Sequence, residues 1–169
     1  MTGWWLRLTS GSLILLLLAA TAALPVVEVE SYEEARFDEF ATYAWIQGTP
    51  ARREQVERAI RTAVELELES RGLQQVDEGA DLLVATHASP EGTAGLDPTA
   101  FVYGGVPWKG WTDRGPLRGA LLVDLVDGKS QQLLWRGLST GKVPASTEKA
   151  EKKAVKLIRK MFREFPRDP

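Results

Sequence analysis

The 169-residue chain has no cysteine and a single histidine, His87. The first absence excludes disulfides, thiol catalysis and thiolate metal sites, while leaving the compartment open. The second excludes a metal site built from several imidazoles. An excess of one charge is also lacking. The 21 basic and 23 acidic side chains leave a net charge of −2, so there is no dominant electrostatic footprint for nucleic acid, which is not expected as a partner. Also missing are the G-x-x-x-x-G-K phosphate loop, a G-x-G-x-x-G turn between strand and helix, and the G-x-S-x-G nucleophile elbow. The carboxylates lack the spacing of a metal-binding loop. No cofactor is expected, and no nucleophile is legible, so the reading leans away from an enzyme.

Apolar residues at 44% and charged residues at 26% are an ordinary globular balance. The length suggests one domain plus a targeting segment. A domain of this size buries roughly two-thirds or more of its unfolded surface without a metal or disulfide staple. Residues 1–25 read as a signal peptide or N-terminal membrane anchor: Arg7 is the only charge before Glu28, LILLLLAA fills 13–20, and Ala20 and Ala22 form an A-x-A-like cleavage pattern. Left uncleaved, the uncharged span 8–27 is long enough to cross a bilayer. Either way Arg7 before the run and Glu28, Glu30, Glu33 and Glu34 after it place residues 26–169, a single domain, outside the cytoplasm. The protein is expected to be exported, either periplasmic or tethered by its N-terminal segment.

That domain is organised around residues 119–138, GALLVDLVDGKSQQLLWRGL. Asp127-Gly128 between two apolar runs is a strong hairpin signal, and predicts a two-residue type I′ turn. The arm 120–126 is almost continuous in Leu and Val, as a strand covered on both faces would be. Further strands are expected over 26–32, 42–46, 73–76 and 81–88. Thr49 as N-cap and Pro50 at N1 predict a helix running to Arg71, buried along Val56, Ile60, Val64 and Leu68 and closed by Gly72. A last helix over 147–165 buries Ala150, Ala154, Ile158, Met161 and Phe165. Together these elements predict an α+β two-layer sandwich: a mixed, largely antiparallel sheet of five to six strands, with both helices packed on one face.

Three constellations could carry chemistry. Residues 89–118 hold six glycines and four prolines around Phe101, Tyr103, Trp108 and Trp111. A connection this long with little regular structure is usually functional or disordered. Tyr103, Trp108 and Trp111 suit contact with a peptide, glycan or lipid headgroup, or else fold back over the sheet. On the last helix, Lys149, Lys152, Lys153, Lys156, Arg159, Lys160 and Arg163 fall within an arc of roughly 120°. Lys153, Lys156 and Lys160 are its candidates for an anionic lipid surface or an acidic envelope protein, against the alternative of a plain solvated face. His87 on a predicted strand, with Asp124 on the hairpin, could serve a small hydrolase or simply be structural. Asp124 and Arg136 interrupt apolar strands and must be paired if buried. A two-residue turn puts them on opposite faces, and one bulge residue brings them to the same face.

The motifs FATYAWI (40–46), LESRGL, DLLVATHAS, the Gly/Trp segment and LLVDLVDGKSQQLLWRG occur in this order. Together they resemble domain-of-unknown-function family 4136, exported bacterial proteins often described as lipoproteins. The resemblance spans roughly residues 28–165. It implies a compact exported α/β domain and brings no established activity or catalytic residues. The chain departs from many members in having no lipobox cysteine, because residues 19–23 offer no acylation site, so an N-terminal acyl anchor is not expected. The resulting expectation is an exported cell-envelope protein acting as a non-catalytic binding or structural module, the alternative being a small hydrolase using His87 and Asp124. Oligomeric state is not readable.

Overall fold

The computed structural model describes residues 25–32, 35–90, 102–103, 106–107 and 119–166. Most of the expected targeting segment therefore lies outside the described residues. In chain order the elements are β1 (Val26–Ser31), a 3-10 turn (Phe37–Glu39), β2 (Thr42–Trp45), α1 (Glu54–Glu69), β3 (Gln74–Gln75), β4 (Leu82–Ser89), β5 (Val102–Tyr103), β6 (Val106–Pro107), β7 (Ala120–Asp127), β8 (Leu133–Thr140) and α2 (Thr147–Arg163). Six strands form one open sheet in the order β1-β8-β7-β4-β2-β3, and β5 and β6 pair separately. β2 runs parallel to β3 and β4, and the remaining pairs are antiparallel. The fold is the expected α+β arrangement with a six-stranded mixed sheet and two helices.

Both helices cover one face of the sheet. Strand alternation turns Leu82, Val84, Leu121, Val123, Leu125 and Trp135 toward Ile60, Val64, Leu68, Ile158, Met161 and Phe162 in one core. α1 ends in a Schellman motif: the Leu73 N–H reaches the Leu68 carbonyl at 3.3 Å and the Gly72 N–H that of Glu69 at 2.9 Å. Gly72 takes φ +88°, the conformation expected of it. The helices run side by side in the same direction. Arg53, before α1, bonds the Ala145 and Pro144 carbonyls before α2 at 3.0 and 2.8 Å. Past the other end of α1, Arg71 bonds the Phe162 carbonyl at 2.7 Å.

Two local expectations are corrected. Thr49 does not cap α1. Its N–H and carbonyl pair with Thr86 and Ala88 of β4, prolonging the parallel ladder past β2, so the helix starts only at Glu54. The Asp127-Gly128 turn is not a two-residue type I′ turn either. Asp127 closes on Gln132, leaving residues 128–131 as the loop. The Asp127 carboxylate accepts the N–H groups of Lys129 and Ser130 at 2.9 and 2.6 Å, and the positive φ falls on Gln131 at 59°. Gly128 is required for another reason: its N–H donates to the Asp81 carbonyl at 2.7 Å, and a Cβ would collide with the Ala80 carbonyl oxygen. The longer loop and a bulge, with Leu125 opposite Trp135 but Val126 opposite Leu133, set the register that places Asp124 directly opposite Arg136.

Candidate functional site

The sheet face turned away from the helices carries a buried polar cluster. Asp124 and Arg136, opposed on β7 and β8, form a bidentate pair, Nε–Oδ1 2.6 Å and Nη2–Oδ2 2.6 Å, with side chains 0% and 4% exposed. Such a planar fork satisfies both carboxylate oxygens where water cannot. His87 is itself fully buried, its Nε2 3.8 Å from Asp124 Oδ2. The Thr49 N–H donates to His87 Nδ1 at 3.2 Å, with the Thr49 hydroxyl 3.1 Å from the same atom. Nδ1 is thus the acceptor, and the ring proton sits on Nε2. Burial holds the His87 pKa below the ordinary imidazole range. The Asp124 carboxylate works against this and the Arg136 cation with it. A neutral, sealed imidazole facing a carboxylate already claimed by arginine has the connectivity of a hydroxyl–imidazole–carboxylate relay but no access for a substrate.

A cavity of about 350 Å³ opens at the end of the sheet where both helices begin. Its walls are apolar and small: Val56 and Ile60 from α1, Ala88 and Leu121 from the sheet, Ala150, Ala154 and Leu157 from α2. The space exists because the buried stripe of α2 starts with Ala150 and Ala154, and reaches Ile158, Met161 and Phe162 only beyond the cavity. Arg52, Arg53, Lys142 and Lys153 border it, and no carboxylate is among its described lining residues. Arg53 is held by two carbonyls and Lys153 by the Lys142 carbonyl at 2.6 Å. These contacts fix the cations without neutralising them. The first-turn carboxylates are engaged elsewhere: Glu57 accepts the Ala51 N–H at 2.8 Å, Glu148 pairs with Lys152 at 2.6 Å, and Glu54 pairs with Arg58. Ser139, 2% exposed on the helix-facing side of β8, also lines the cavity, and its Oγ has no hydrogen-bond partner among the described residues.

Of the residues singled out in the sequence, Trp108 and Trp111 lie outside the described residues. Tyr103 is placed only as backbone, opposite Val106 in the β5–β6 pair. Lys156 and Lys160 are exposed on α2 together with Lys149, Lys152, Arg159 and Arg163, as the helical spacing implied. Lys153 departs from them, half-buried at the cavity edge. His87, Asp124 and Arg136 do come together. Of the cavity residues, drawn from five separate stretches of the chain, sequence reasoning singled out only Lys153 as a functional candidate, and placed Val56, Ile60, Ala150 and Ala154 in buried stripes without the cavity they line. The one signal available was the drift from alanine to large side chains along the α2 stripe.

These features define a two-layer α+β domain on a six-stranded mixed sheet, with a sealed ion pair on one face and a cation-bordered cavity at one end of the other. The chain belongs to the family Domain of unknown function (DUF4136), which matches residues 27–167. Among solved structures it is similar to a PDZ domain protein from Parabacteroides distasonis ATCC 8503, with a TM-score of 0.54 and 15% identity over 86% of this chain and 37% of that one. It thus spans little more than a third of that protein. PelC dodecamers from Paraburkholderia phytofirmans, in two crystal forms, align with a TM-score of 0.49 over 82% of this chain and 94% of theirs, at 13% and 12% identity. At such identities the likeness concerns the fold alone. No curated protein matches the chain.

Proposed function

We propose that the chain is an exported, non-catalytic module of the cell envelope that holds a small amphiphile in the cavity at the N-terminal ends of its helices. The cavity carries the reading. Its volume of about 350 Å³ falls within the roughly 300–1,000 Å³ of small-molecule sites, and apolar walls with a few convergent polar groups are the usual composition of such sites. Export is supported by Arg7 ahead of the apolar run and the acidic residues after it. No helix among the described residues is long and apolar enough to cross a membrane. Of the partners expected from sequence, an anionic lipid surface fits best, because the exposed cations of α2 lie on the same helix that walls the cavity.

The hydrolase reading of His87 and Asp124 is weaker, since a general base must reach its substrate or a water, and His87 is fully enclosed. The test is titration with dodecanol, a neutral amphiphile, comparing the wild-type chain with Ala88→Phe, which places a ring in the cavity from a half-buried position. The comparison subtracts binding at any other apolar surface. Saturable binding by the wild type that is lost in the variant is expected. Equal binding by both removes the cavity from the account.

A further inference from the structure

Resting on that reading of the cavity, we infer that its ligand is a single-chain anionic lipid, with its tail against Val56, Ile60, Leu121 and Leu157 and its head group among Arg53, Lys142 and Lys153.

Two features specify the charge, and a third supplies a partner for the head group. The first is the border. Among the described residues Arg53, Lys142 and Lys153 form no ion pair, and the bonds that Arg53 and Lys153 do make are to carbonyl oxygens, which leave the formal charge in place. A guanidinium has five donors and an ammonium three, so Arg53 and Lys153 keep donors for a ligand after these bonds are made. The second feature is the shared direction of α1 and α2. Both helices begin at this end, so two positive dipole ends lie at the border of the cavity. The third is the Ser139 hydroxyl, buried in the wall with no hydrogen-bond partner among the described residues. A buried donor left unpaired is costly, and a carboxylate or phosphate oxygen would satisfy it. The first two favour an anion over a cation, and the third supplies a donor that an anion's oxygen can accept from.

The apolar part specifies one tail. Given roughly 30 Å³ for a group the size of a water molecule, a cavity of about 350 Å³ takes about a dozen, enough for one medium-length chain and too few for two. Lys142 is exposed and Lys153 half-buried in the cavity's border, so a chain lying along the apolar wall can end with its head at these cations.

Calorimetric titration of the purified full chain with dodecanoate, dodecanol and dodecylammonium, below their aggregation concentrations, separates charge from apolar fit. Dodecanoate is expected to bind about tenfold or more tightly than dodecanol, as one or two charge-assisted hydrogen bonds imply, and dodecylammonium weakest. Raising the salt should narrow that preference, because the border cations are partly exposed. Lys142→Met, at an exposed position, should cut the preference for dodecanoate several-fold and leave dodecanol unchanged. Lys153→Gln, which retains a donor for the Lys142 carbonyl, should do the same. Ser139→Ala should weaken dodecanoate without lowering the melting midpoint. Equal affinity for the three ligands, or a preference that survives both lysine variants, overturns the inference about charge while the cavity stands as a site. Absence of binding by any of them, or undiminished binding by Ala88→Phe, overturns the cavity reading and this inference with it.

Discussion

The two ends of the helix-covered layer are built from different materials. At the end where the helices finish, Trp135, Phe162, Phe165 and Phe37 form a chain of ring contacts, with centroids 5.0 Å apart for Trp135–Phe162 and 4.7 Å for Phe37–Phe165. Arg71 lies over Phe162 and Phe165, closing that end with a cation on ring faces. At the end where the helices begin, the equivalent positions are Ala51, Ala88, Ala150 and Ala154, and a cavity takes the place of rings. The helices are thus braced on the sheet by packed rings at one end, the tight end, outside which a groove of about 780 Å³ runs past Phe37, Arg71 and Phe165, and by small side chains around the cavity at the other, the open end. The ring packing is concentrated at the tight end. The open end is where a ligand could enter without dismantling the core.

That contrast sets the order of expected effects. Phe162→Ala at the tight end should cost about 3–5 kcal/mol, as loss of a fully buried ring does, measured by urea unfolding. A loss below about 1 kcal/mol would mean that the aromatic chain is not the anchor. Midway along the sheet, Arg136→Met leaves the Asp124 carboxylate buried without its fork and should cost about 3–5 kcal/mol; adding Asp124→Leu should recover most of it, because paired removal of a buried ion pair is often neutral. No recovery would show that the pair does more than neutralise itself.

Gly128→Val, in the loop at the tight end, should cost about 1–3 kcal/mol through collision with the Ala80 carbonyl. An unchanged midpoint would place the loop elsewhere. At the open end, Ala154→Val has space to fill and should change stability by less than about 1 kcal/mol in either direction, against the 1–3 kcal/mol of ordinary overpacking.

Acid should separate the ends. At the tight end, backbone N–H groups of Ala41 and Ser130 respectively hold the carboxyls of Asp81 and Asp127 below the ordinary value of 3.8. Near the open end, burial holds His87 below its ordinary 6.5. For every one of these groups the unfolded chain binds its proton at a higher pH than the folded chain. Their contributions are therefore present above the ordinary values and lost as pH falls through them. The melting midpoint should decline in two stages, the first starting near pH 6.5 and the second below 3.8. His87→Gln, able to keep a polar contact to Thr49, should erase the first stage alone. A first stage that persists in this variant would assign it to another group.

Much of the tight end is legible from sequence. Large apolar residues at steps of three and four, such as Val64, Leu68, Ile158 and Met161, announce a buried face because helical geometry converts spacing directly into orientation. Ala120 to Val126, nearly all Leu and Val, announced a strand covered on both sides, and Asp124 within it is indeed sealed from water. The boundaries at Thr49 and Gly128 were not legible, because distant backbone decides both: Thr86 and Ala88 claim Thr49, and Asp81 claims Gly128. The cavity was hidden for the same reason. Ala88, Ser139 and Lys142 become neighbours only through the β4-β7-β8 order, and a serine with no partner looks like any other serine until the sheet is assembled.

The pairing of β1 with β8 has a consequence in time. Val26 lies opposite Thr140 and Ser31 opposite Trp135, so the first strand completes the sheet at an edge offered only by the last. A chain emerging N-terminus first has synthesised β1 long before that edge exists. β2, α1, β3 and β4 can assemble from local contacts meanwhile, and β7 and β8 can zip as a hairpin. β1 must stay unpaired until more than a hundred residues have followed it, and closing so long a loop makes this the slowest step to nucleate. Its alternation of Val27 and Val29 with Glu28 and Glu30 suits that wait, because charges along an unpaired strand discourage pairing with a neighbouring chain. Maturation of the domain is therefore timed by its two ends, and a β1 that never docks would leave β8 as an open edge on an otherwise finished fold.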